Sequence, residues 1–511
     1  MTASAGSPVR VHRLRTAPGG GKARLAAGAA WVPMIPALVT LAVVFYRIGH
    51  PSLSRDEGAT LVAVHRSVAQ LVRMLGQADV VHGLYYLLMW GETRLAGTSE
   101  LVLRLPSAVG MAVAAGVLTA LGRRLVSTRA GLAAGLVFAA LPIVTIYGQT
   151  ARSYALVTAL ATIASYLIVR VMEASPDRRP RWLVGYGASL AALGLGNIFA
   201  LLLIPAHALT LALWARRDRA AAAARPAGAP AAAGGARLIR GWLAASAAAV
   251  AVVSPVVVIS VGQRSQVSWI KPLNMAQVAS VRQLLGSPEL IGLILLVTAG
   301  GLAFSALRGR IQADWPPSLP ALALPWLLLP PAVLLAATAV HPVYSLRYIV
   351  FCAPAAALLA GVGLASLGWT GGAVGLALIV LFALPGQVRA RTVAAHSENL
   401  RLLSHLVARN SRPGDALLFP RLNDHEFEAA YPAGYRSLRD VGLGQTAIQS
   451  STLLGTEAPA PVVRGRLASV NRLWAIETGN ERGSVPVLDG LGFRVARRWI
   501  VSGIWLVLYT R

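Results

Sequence analysis

The sequence predicts a polytopic α-helical membrane protein that ends in a small α/β domain. Of its 511 residues, 56% are hydrophobic and only 13% are charged, and the mean hydropathy is +0.61, whereas soluble domains are about half apolar. Many apolar runs have the length of roughly 17–22 residues that is needed to cross a hydrocarbon core. A soluble protein with a very large core would show amphipathic helices, not uniformly apolar ones.

Eleven apolar segments are predicted to cross the membrane. Connectors rich in arginine follow the second, fourth, sixth and eighth of them. Because cytoplasmic loops carry the excess of Lys and Arg, all four connectors fit the cytoplasmic side when residue 1 is cytoplasmic. The predicted spans are 31–48, 103–121, 130–147, 154–171, 182–197, 198–214, 241–261, 289–307, 319–340, 346–366 and 370–386.

The segment 84–97 is apolar over too short a stretch to span, and it contains Glu92 and Arg94. We therefore predict a juxtamembrane or re-entrant helix there, inside a long first outer loop at 49–102. If this segment spanned the membrane, every later connector would change side and the charge rule would fail.

The N-terminal part divides into a tail and a transmembrane domain. Residues 1–30 are a basic tail, and the apolar segment behind it lacks a clear cleavage site, so we interpret that segment as a retained span with a cytoplasmic N-terminus. The transmembrane domain is predicted to cover 31–386. Within it, the Ala-, Pro- and Gly-rich stretch 220–236 is predicted to be a flexible cytoplasmic linker.

Charged residues return and apolar runs shorten in 387–511. An amphipathic helix at 397–410 and strands beginning near Asp415, Arg472 and Ile504 predict a small α/β domain on the outer, extracytoplasmic side. We interpret its sequence Asp424-His425-Glu426 as a solvated loop. The hypothesis for this domain is a role in choosing the acceptor.

The net charge of +27 does not indicate a nucleic-acid partner, because the basic residues are spread over short connectors that face anionic lipid. The lone cysteine, Cys352, excludes a disulfide within the chain and a thiolate metal site. The preference for Arg over Lys and the abundance of Ala suggest a GC-rich, actinobacterium-like source.

The carboxylate pair Asp56-Glu57 lies shortly after the first apolar segment. Carboxylates near a low-dielectric medium are costly to keep, which indicates chemistry or a cation. Adjacent carboxylates repel each other, so one pKa is expected to rise, and a raised pKa suits a general base. The alternative is an ordinary charge in a wet outer loop.

Asp79 and His82 stand three residues apart in the same loop, just before the aromatic pair Tyr85-Tyr86. On one helical face they could ligate a metal or orient a substrate, although two ligands alone make no metal site. The alternative is an interfacial helix with an aromatic belt.

Cations and aromatic residues fall on the same predicted side of the membrane. Arg152 and Arg347 could each bind a phosphate through the planar guanidinium group. The alternatives are an arginine that snorkels and an aromatic belt with one anchor. A carboxylate pair, cations and an aromatic rim together fit sugar transfer from a polyprenyl phosphate, in which cations stabilise the phosphate leaving group.

Five motifs carry a resemblance to a known superfamily. The chain resembles the GT-C membrane glycosyltransferases from about residue 31 to its end, especially bacterial members related to protein O-mannosyltransferases and to lipid A aminoarabinose transferases. The carboxylate pair after the first span is the most specific of these motifs. They are Ser54-Arg55-Asp56-Glu57, Asp79 to Tyr86, Leu103-Arg104-Leu-Pro106-Ser107, Tyr147 to Tyr154, and Gly492-Phe-Arg.

The resemblance implies a GT-C fold, a polyprenyl-phosphate-sugar donor on the extracytoplasmic leaflet and an inverting transfer. It implies that Asp56 is the general base and that Glu57 supports it or contacts the acceptor. It also suggests that Arg152 and Arg347 contact the donor phosphate. The predicted substrate-binding residues are Arg55, Asp79, His82, Tyr85, Tyr147, Gln149, Arg152, Tyr154, Lys271, Arg347 and Tyr348.

Two departures from the family pattern concern a metal. His82-Gly83-Leu84 stands where many relatives have His-Pro-Pro, and Thr150 stands where many have an acidic residue. No metal ligand is therefore assigned, and a divalent cation stays an open alternative.

The rival hypotheses are a lipid or sugar transporter (a flippase) and a catalytically silent scaffold. Transporters keep ionisable groups near the bilayer midplane, whereas here these groups gather at one face. Mannose is the expected sugar, with arabinofuranose next, and the acceptor is a glycan, a lipid or a protein. The expected location is a bacterial plasma membrane, with the lipid bilayer and no nucleic acid as partner.

Overall fold

The computed structural model describes residues 31–223, 234–307, 318–478 and 485–511. The predicted tail 1–30, most of the predicted linker 220–236 and the connector arginines Arg308 and Arg310 lie outside these ranges. The described residues form a helical bundle, a set of short helices at one end of it, and a C-terminal sheet.

The predicted apolar segments all form helices. The segment 130–147 is broken into Thr128–Ala140 and Pro142–Gly148, bent by 64°, because proline lacks the N–H that would continue the first helix. The bundle helices are Met34–Phe45, Glu100–Leu125, Thr128–Ala140, Pro142–Gly148, Tyr154–Glu173, Arg179–Gly196, Leu203–Ala223, Gly234–Gly262, Pro288–Leu307, Leu319–Thr338, Ala353–Ser366 and Gly368–Arg389.

Six helices of the described residues are long and apolar enough to span a membrane, or eight if each of two bent pairs is counted as one span. Met34–Phe45 is shorter, with 12 residues. The chain is thus a multi-pass membrane protein, and the number of eleven spans stays a prediction.

Small residues let the bundle helices approach closely. A Cβ atom on Gly301 would lie 2.4 Å from the Cα atom of Gly363, and one on Gly361 would lie 2.5 Å from the backbone nitrogen of Ala134. Such contacts are typical of helices packed within a membrane. They fix Ala353–Ser366, which starts six residues after Arg347 and is buried along most of its length, within the bundle.

The first outer loop folds into the helices Arg55–Val64, Val68–Gln77 and Gly83–Ala96. The last of these confirms the predicted helix at 84–97. It exposes Leu84, Leu87 and Leu88 but buries Tyr85 and Tyr86. An aromatic belt needs exposed rings, so that alternative is wrong for these two tyrosines.

The C-terminal region starts with the helix Leu400–Asn410, three residues later than predicted, and contains a five-stranded sheet. The first three strands in the order are parallel and the last two pairings are antiparallel. The order is Arg439–Asp440, Ala416–Leu418, Arg472–Glu477, Ile504–Thr510 and Arg494–Val501.

The three predicted strands are confirmed, but the edge strand Arg494–Val501 was missed. Its residues are mostly exposed and include three arginines. Charged residues protect an edge strand from pairing with other chains, and they also break up the apolar run by which a strand is recognised.

One hydrophobic core joins the first outer loop to the C-terminal region. It contains Leu61 and Tyr86 from the loop, and Leu400, Phe427 and Trp474 from the C-terminal region. Both regions therefore lie at the same end of the bundle.

The helix His425–Ala430 packs on Arg55–Val64. A Cβ atom on Gly58 would lie 2.5 Å from the carbonyl oxygen of Glu426, so only glycine permits this approach. Asp424 and His425 are buried. The interpretation of Asp424-His425-Glu426 as a solvated loop is thus wrong, because tertiary packing covers this segment.

Candidate active site

The carboxylate pair begins the helix Arg55–Val64. Ser54 and Glu57 form a capping box, in which the hydroxyl of Ser54 accepts from the backbone N–H of Glu57 and the Glu57 carboxylate accepts from the backbone N–H of Ser54. The first turn of a helix favours negative charge. The local sequence therefore fixes both acids at the entrance of the loop.

Glu57 is fully buried and ion-paired with Arg104. Its two oxygens accept from Nε and Nη2 of Arg104 at 2.8 and 3.0 Å, and from the backbone N–H of Ala151 at 2.9 Å. Burial would raise the pKa of Glu57, but Arg104 outweighs burial and lowers it to about 2. Glu57 is thus charged at neutral pH, and it links its own helix to Arg104 and to the backbone at Ala151.

Arg104 also holds the chain that leads into the loop. Its Nη1 donates to the carbonyl oxygens of Ile48 and Pro51 at 2.7 and 2.9 Å, and Nη2 donates to that of Ser52. From the sequence, Arg104 is assigned no role at the site. The available signal was an arginine inside the predicted span 103–121.

Asp56 lies next to Glu57 but keeps 38% of its side chain exposed, and its Oδ2 accepts from Nη1 of Arg347. Burial would raise the pKa of Asp56, but Arg152 and then Arg347 outweigh burial, so the pKa lies below its ordinary value. The expectation that repulsion raises one pKa of the pair is wrong, because Arg104 neutralises Glu57 and two cations face Asp56.

A polar network surrounds Arg152, which is buried. Its guanidinium donates to the backbone oxygen of Asp56, to the hydroxyl of Tyr86 and to Nε2 of His82, the last at 2.9 Å. The Tyr86 hydroxyl donates in turn to Asp79 at 2.7 Å. Four predicted positions of the first outer loop and the 147–154 segment therefore meet: Asp56, Asp79, His82 and Arg152.

This donor set does not fit a metal. Burial and then Arg152 hold the pKa of His82 well below its ordinary value, so the ring is neutral, but its Nε2 already accepts from Arg152. Asp79 is bound to Tyr86. Within the described ranges, no three His, Cys, Asp or Glu side chains converge as metal ligands.

An aromatic rim lies beside the two arginines. The rings of Tyr147 and Tyr154 meet edge to face, with centroids 5.4 Å apart, and Tyr348 packs against Phe199. The guanidinium of Arg347 covers the ring of Trp269 at 4.6 Å. The rim combines apolar surface with hydroxyl groups, which suits a lipid phosphate at an interface.

Four predicted residues are not part of this cluster. Arg55 is ion-paired with Glu398 and Asp424, and Gln149 is buried, with its amide donating to the carbonyl oxygens of Val44 and Tyr46. Tyr85 is buried in the core shared with the C-terminal region. The fourth is Lys271, which is exposed.

The C-terminal region adds acidic side chains that were interpreted from the sequence as part of a solvated loop. Asp424 binds both Arg55 and the hydroxyl of Thr478. Glu426 is near enough to interact electrostatically with Asp56 and Arg152. No sequence pattern indicates that the segment 424–426 lies next to Arg55 and Asp56, because only the tertiary fold brings these segments together.

Part of the sequence and the overall fold of the chain are similar to those of known proteins. Residues 83–259 match the family model described as dolichyl-phosphate-mannose-protein mannosyltransferase. No curated protein matches the chain significantly.

Solved structures of two proteins illustrate the similarity in fold. ArnT from Cupriavidus metallidurans, in the apo state and bound to undecaprenyl phosphate, is 16% identical, with 94% of this chain and 98% of that chain covered and a TM-score of 0.58. The archaeal oligosaccharyltransferase AglB from Archaeoglobus fulgidus, in complex with an inhibitory peptide and a dolichol-phosphate, is 12% identical, with 87% and 69% covered and a TM-score of 0.51. The predicted fold class is thus confirmed: the chain has the GT-C fold with a small C-terminal sheet.

Proposed function

We propose that this protein is a glycosyltransferase that moves a sugar from a polyprenyl-phosphate donor to an acceptor hydroxyl. The observation that carries the proposal is Asp56, a partly exposed carboxylate beside the guanidinium groups of Arg152 and Arg347. A base for the acceptor and cations for a phosphate are the two requirements of this reaction. The lipid phosphates bound to ArnT and AglB agree with such a donor.

The donor phosphate binds at Arg347 and Arg152 in this proposal. Both side chains lie at the aromatic rim, where Tyr147, Tyr154 and Tyr348 supply a surface for the first isoprene units. Planar guanidinium groups bind a phosphate through paired hydrogen bonds. They also stabilise the charge that the phosphate gains as the sugar leaves.

Asp56 is the proposed general base. An acceptor oxygen attacks the anomeric carbon while the bond from that carbon to the phosphate oxygen breaks. The bond electrons leave with the polyprenyl phosphate, and the acceptor proton passes to Asp56. Attack opposite the leaving group inverts the anomeric configuration.

In this proposal Arg347 interacts first with the base, Asp56, and then with the donor phosphate. Before the donor binds, it pairs with Asp56 and keeps the pKa of that acid low. A donor phosphate competes for the same guanidinium group. Once Arg347 turns to the phosphate, Asp56 loses a positive neighbour and becomes a stronger base.

Glu57 is a positioning residue in this scheme. Because its oxygens are taken by Arg104, Ala151 and Ser54, it holds the helix start that carries Asp56. Its support for the base is thus structural, and contact with the acceptor is not part of the proposal.

The proposed arrangement in the membrane follows the charge rule. The N-terminus is cytoplasmic, and the site and the C-terminal domain 387–511 are extracytoplasmic, in a bacterial plasma membrane. The transmembrane domain is 31–386. Mannose is the proposed sugar, and arabinofuranose is the next candidate.

Asp56→Asn tests the proposal. Protein in lipid nanodiscs is given radiolabelled polyprenyl-phosphate mannose or arabinofuranose, and transfer to glycoside, peptide and lipid acceptors is measured. The variant should lose turnover while it unfolds at the same temperature as the wild type. Asp177→Asn, at an exposed connector, is the matched control and should keep full activity. Wild-type turnover in Asp56→Asn would overturn the role of Asp56.

A further inference from the structure

A groove runs between the C-terminal region and the base, outside the network around Arg152. It has a volume of about 570 Å³. Arg55 and Trp269 form one side, and the segment 420–424, Glu457 and Thr478 form the other. None of these residues except Arg55 belongs to the predicted site.

Both ends of the groove wall connect to Asp56. Trp269 lies under the guanidinium of Arg347, which binds Asp56. Arg55 precedes Asp56 in the chain. Asp56 does not itself line the groove, but these two neighbours place the groove close to it. Arg152, by contrast, is buried.

The carboxylates of the groove are held rigidly. Asp424 accepts from Arg55 at 2.9 Å and from Thr478 at 2.8 Å, and Glu457 accepts from the backbone N–H of Leu422 at 3.0 Å. Groups fixed in this way lose little freedom when a ligand binds. Asp424 is closed to solvent, whereas Glu457 is exposed. Because carboxylates accept hydrogen bonds, Glu457 favours a ligand rich in hydroxyl donors.

Trp269 and Asn423 complete the lining. Trp269 is 52% exposed, and an indole offers a flat apolar surface together with one polar N–H. Asn423 is exposed, and within the described ranges its side chain forms no hydrogen bond. A flat ring beside hydroxyl acceptors and an amide matches a sugar, which has C–H groups on one face and hydroxyl groups at its edge. An acyl chain is disfavoured because it would leave these polar groups without partners.

A further carboxyl group lies near the groove without lining it. Glu426 comes two residues after the lining segment 420–424, on the helix that packs against Gly58. Among the described residues it has no hydrogen-bond partner, although it lies within electrostatic reach of Asp56. Glu426 is half-buried, so a hydroxyl group of a ligand can take the place of water at its carboxyl group.

We propose that this groove is the acceptor site and that it binds the terminal sugar of a carbohydrate acceptor, with Glu426 hydrogen-bonded to the acceptor beside Asp56. This inference rests on the proposed glycosyltransferase function. It names the acceptor class and the residues that choose it.

The test uses the full chain in nanodiscs with labelled polyprenyl-phosphate sugar and two acceptor probes, octyl mannoside and a threonine-containing octapeptide. Trp269→Ala and Asn423→Ala should each raise the KM for octyl mannoside about tenfold, with a smaller change in the KM for the donor. Trp369→Ala is the matched control, because Trp369 is also exposed and covered by an arginine, and it should leave both values unchanged.

Three results would count against the inference. An unchanged KM for octyl mannoside in both groove variants would overturn the groove as the acceptor site. Transfer to the octapeptide but not to the glycoside would overturn the carbohydrate class and leave the proposed function standing. Failure of the wild type to bind the labelled donor, in a direct binding measurement, would overturn the proposed function as well.

Discussion

The carboxylate of Glu57 and the guanidinium of Arg104 form a two-pronged ion pair, at 2.8 and 3.0 Å, in which both side chains are closed to solvent. The pair ties the first turn of the helix that carries Asp56 to the first long bundle helix. The partly exposed Asp56 therefore lies next to a buried ion pair that holds the start of its helix in place.

Arg104→Met should strongly destabilise the protein, by about 3–5 kcal/mol, because it leaves the charge of Glu57 buried without its partner. Thermal unfolding in detergent measures the effect. Arg124→Met is the matched control, since Arg124 pairs with Glu173 at a partly exposed position, where an ion pair contributes about 0–1 kcal/mol. The double variant Glu57→Gln with Arg104→Met should recover part of the loss. Equal losses in the two single arginine variants would contradict the structural role of the buried pair.

Arg347→Gln should shift the acid limb of the pH–rate profile to higher pH. The wild-type pKa of Asp56 is low because Arg152 and Arg347 outweigh burial. Removing one of these cations raises that pKa, so the base is protonated at a higher pH, by about one unit. The measurement is kcat/KM against pH, which reports the free enzyme. Arg282→Gln, at an exposed position, is the control and should leave the acid limb unchanged. An unshifted acid limb in Arg347→Gln would mean that Arg347 does not lower the pKa of Asp56.

The position of the proposed base stands out in the sequence, whereas its surroundings were only partly predictable. Asp56 is conspicuous because a carboxylate pair is rare next to an apolar segment, and Arg152 and Arg347 stand out at the ends of apolar runs. The role of Glu57 was open, because its partner Arg104 is visible only in the fold. Asp424 lies 369 positions from its partner Arg55, and no local periodicity reports such a pairing.

Gly58→Ala should loosen the contact between the first outer loop and the C-terminal region. The added Cβ atom would lie 2.5 Å from the carbonyl oxygen of Glu426, so the helices must separate, at a cost of about 1–3 kcal/mol. Limited proteolysis of the C-terminal region and the unfolding temperature measure this effect. Gly91→Ala, also in a helix of the first outer loop, is the matched control, because nothing lies within 4 Å of its added Cβ. There alanine should be neutral or stabilise by up to about 1 kcal/mol, and the same gain at Gly58 would contradict the close packing.

Glu426→Gln should make the stability of the protein less dependent on pH. Burial, and then the negative charge of Asp56, raise the pKa of Glu426 from 4.5 to about 8, against the opposing effect of Arg55 and Arg152. Between these two pKa values the folded protein holds a proton that the unfolded chain has released, so its stability falls as the pH rises through this window. Glutamine cannot titrate. Between pH 5.5 and 8.5 the free energy of unfolding of the variant should therefore fall by about 1–2 kcal/mol less than that of the wild type, allowing for the partial solvent access of Glu426.

The measurement is the unfolding temperature of both proteins across this pH range. Glu289→Gln, at an exposed position, is the control and should follow the wild type. Parallel curves for wild type and Glu426→Gln would mean that Glu426 titrates as an ordinary carboxyl group, and it would then be charged, not neutral, beside Asp56 at the pH of catalysis.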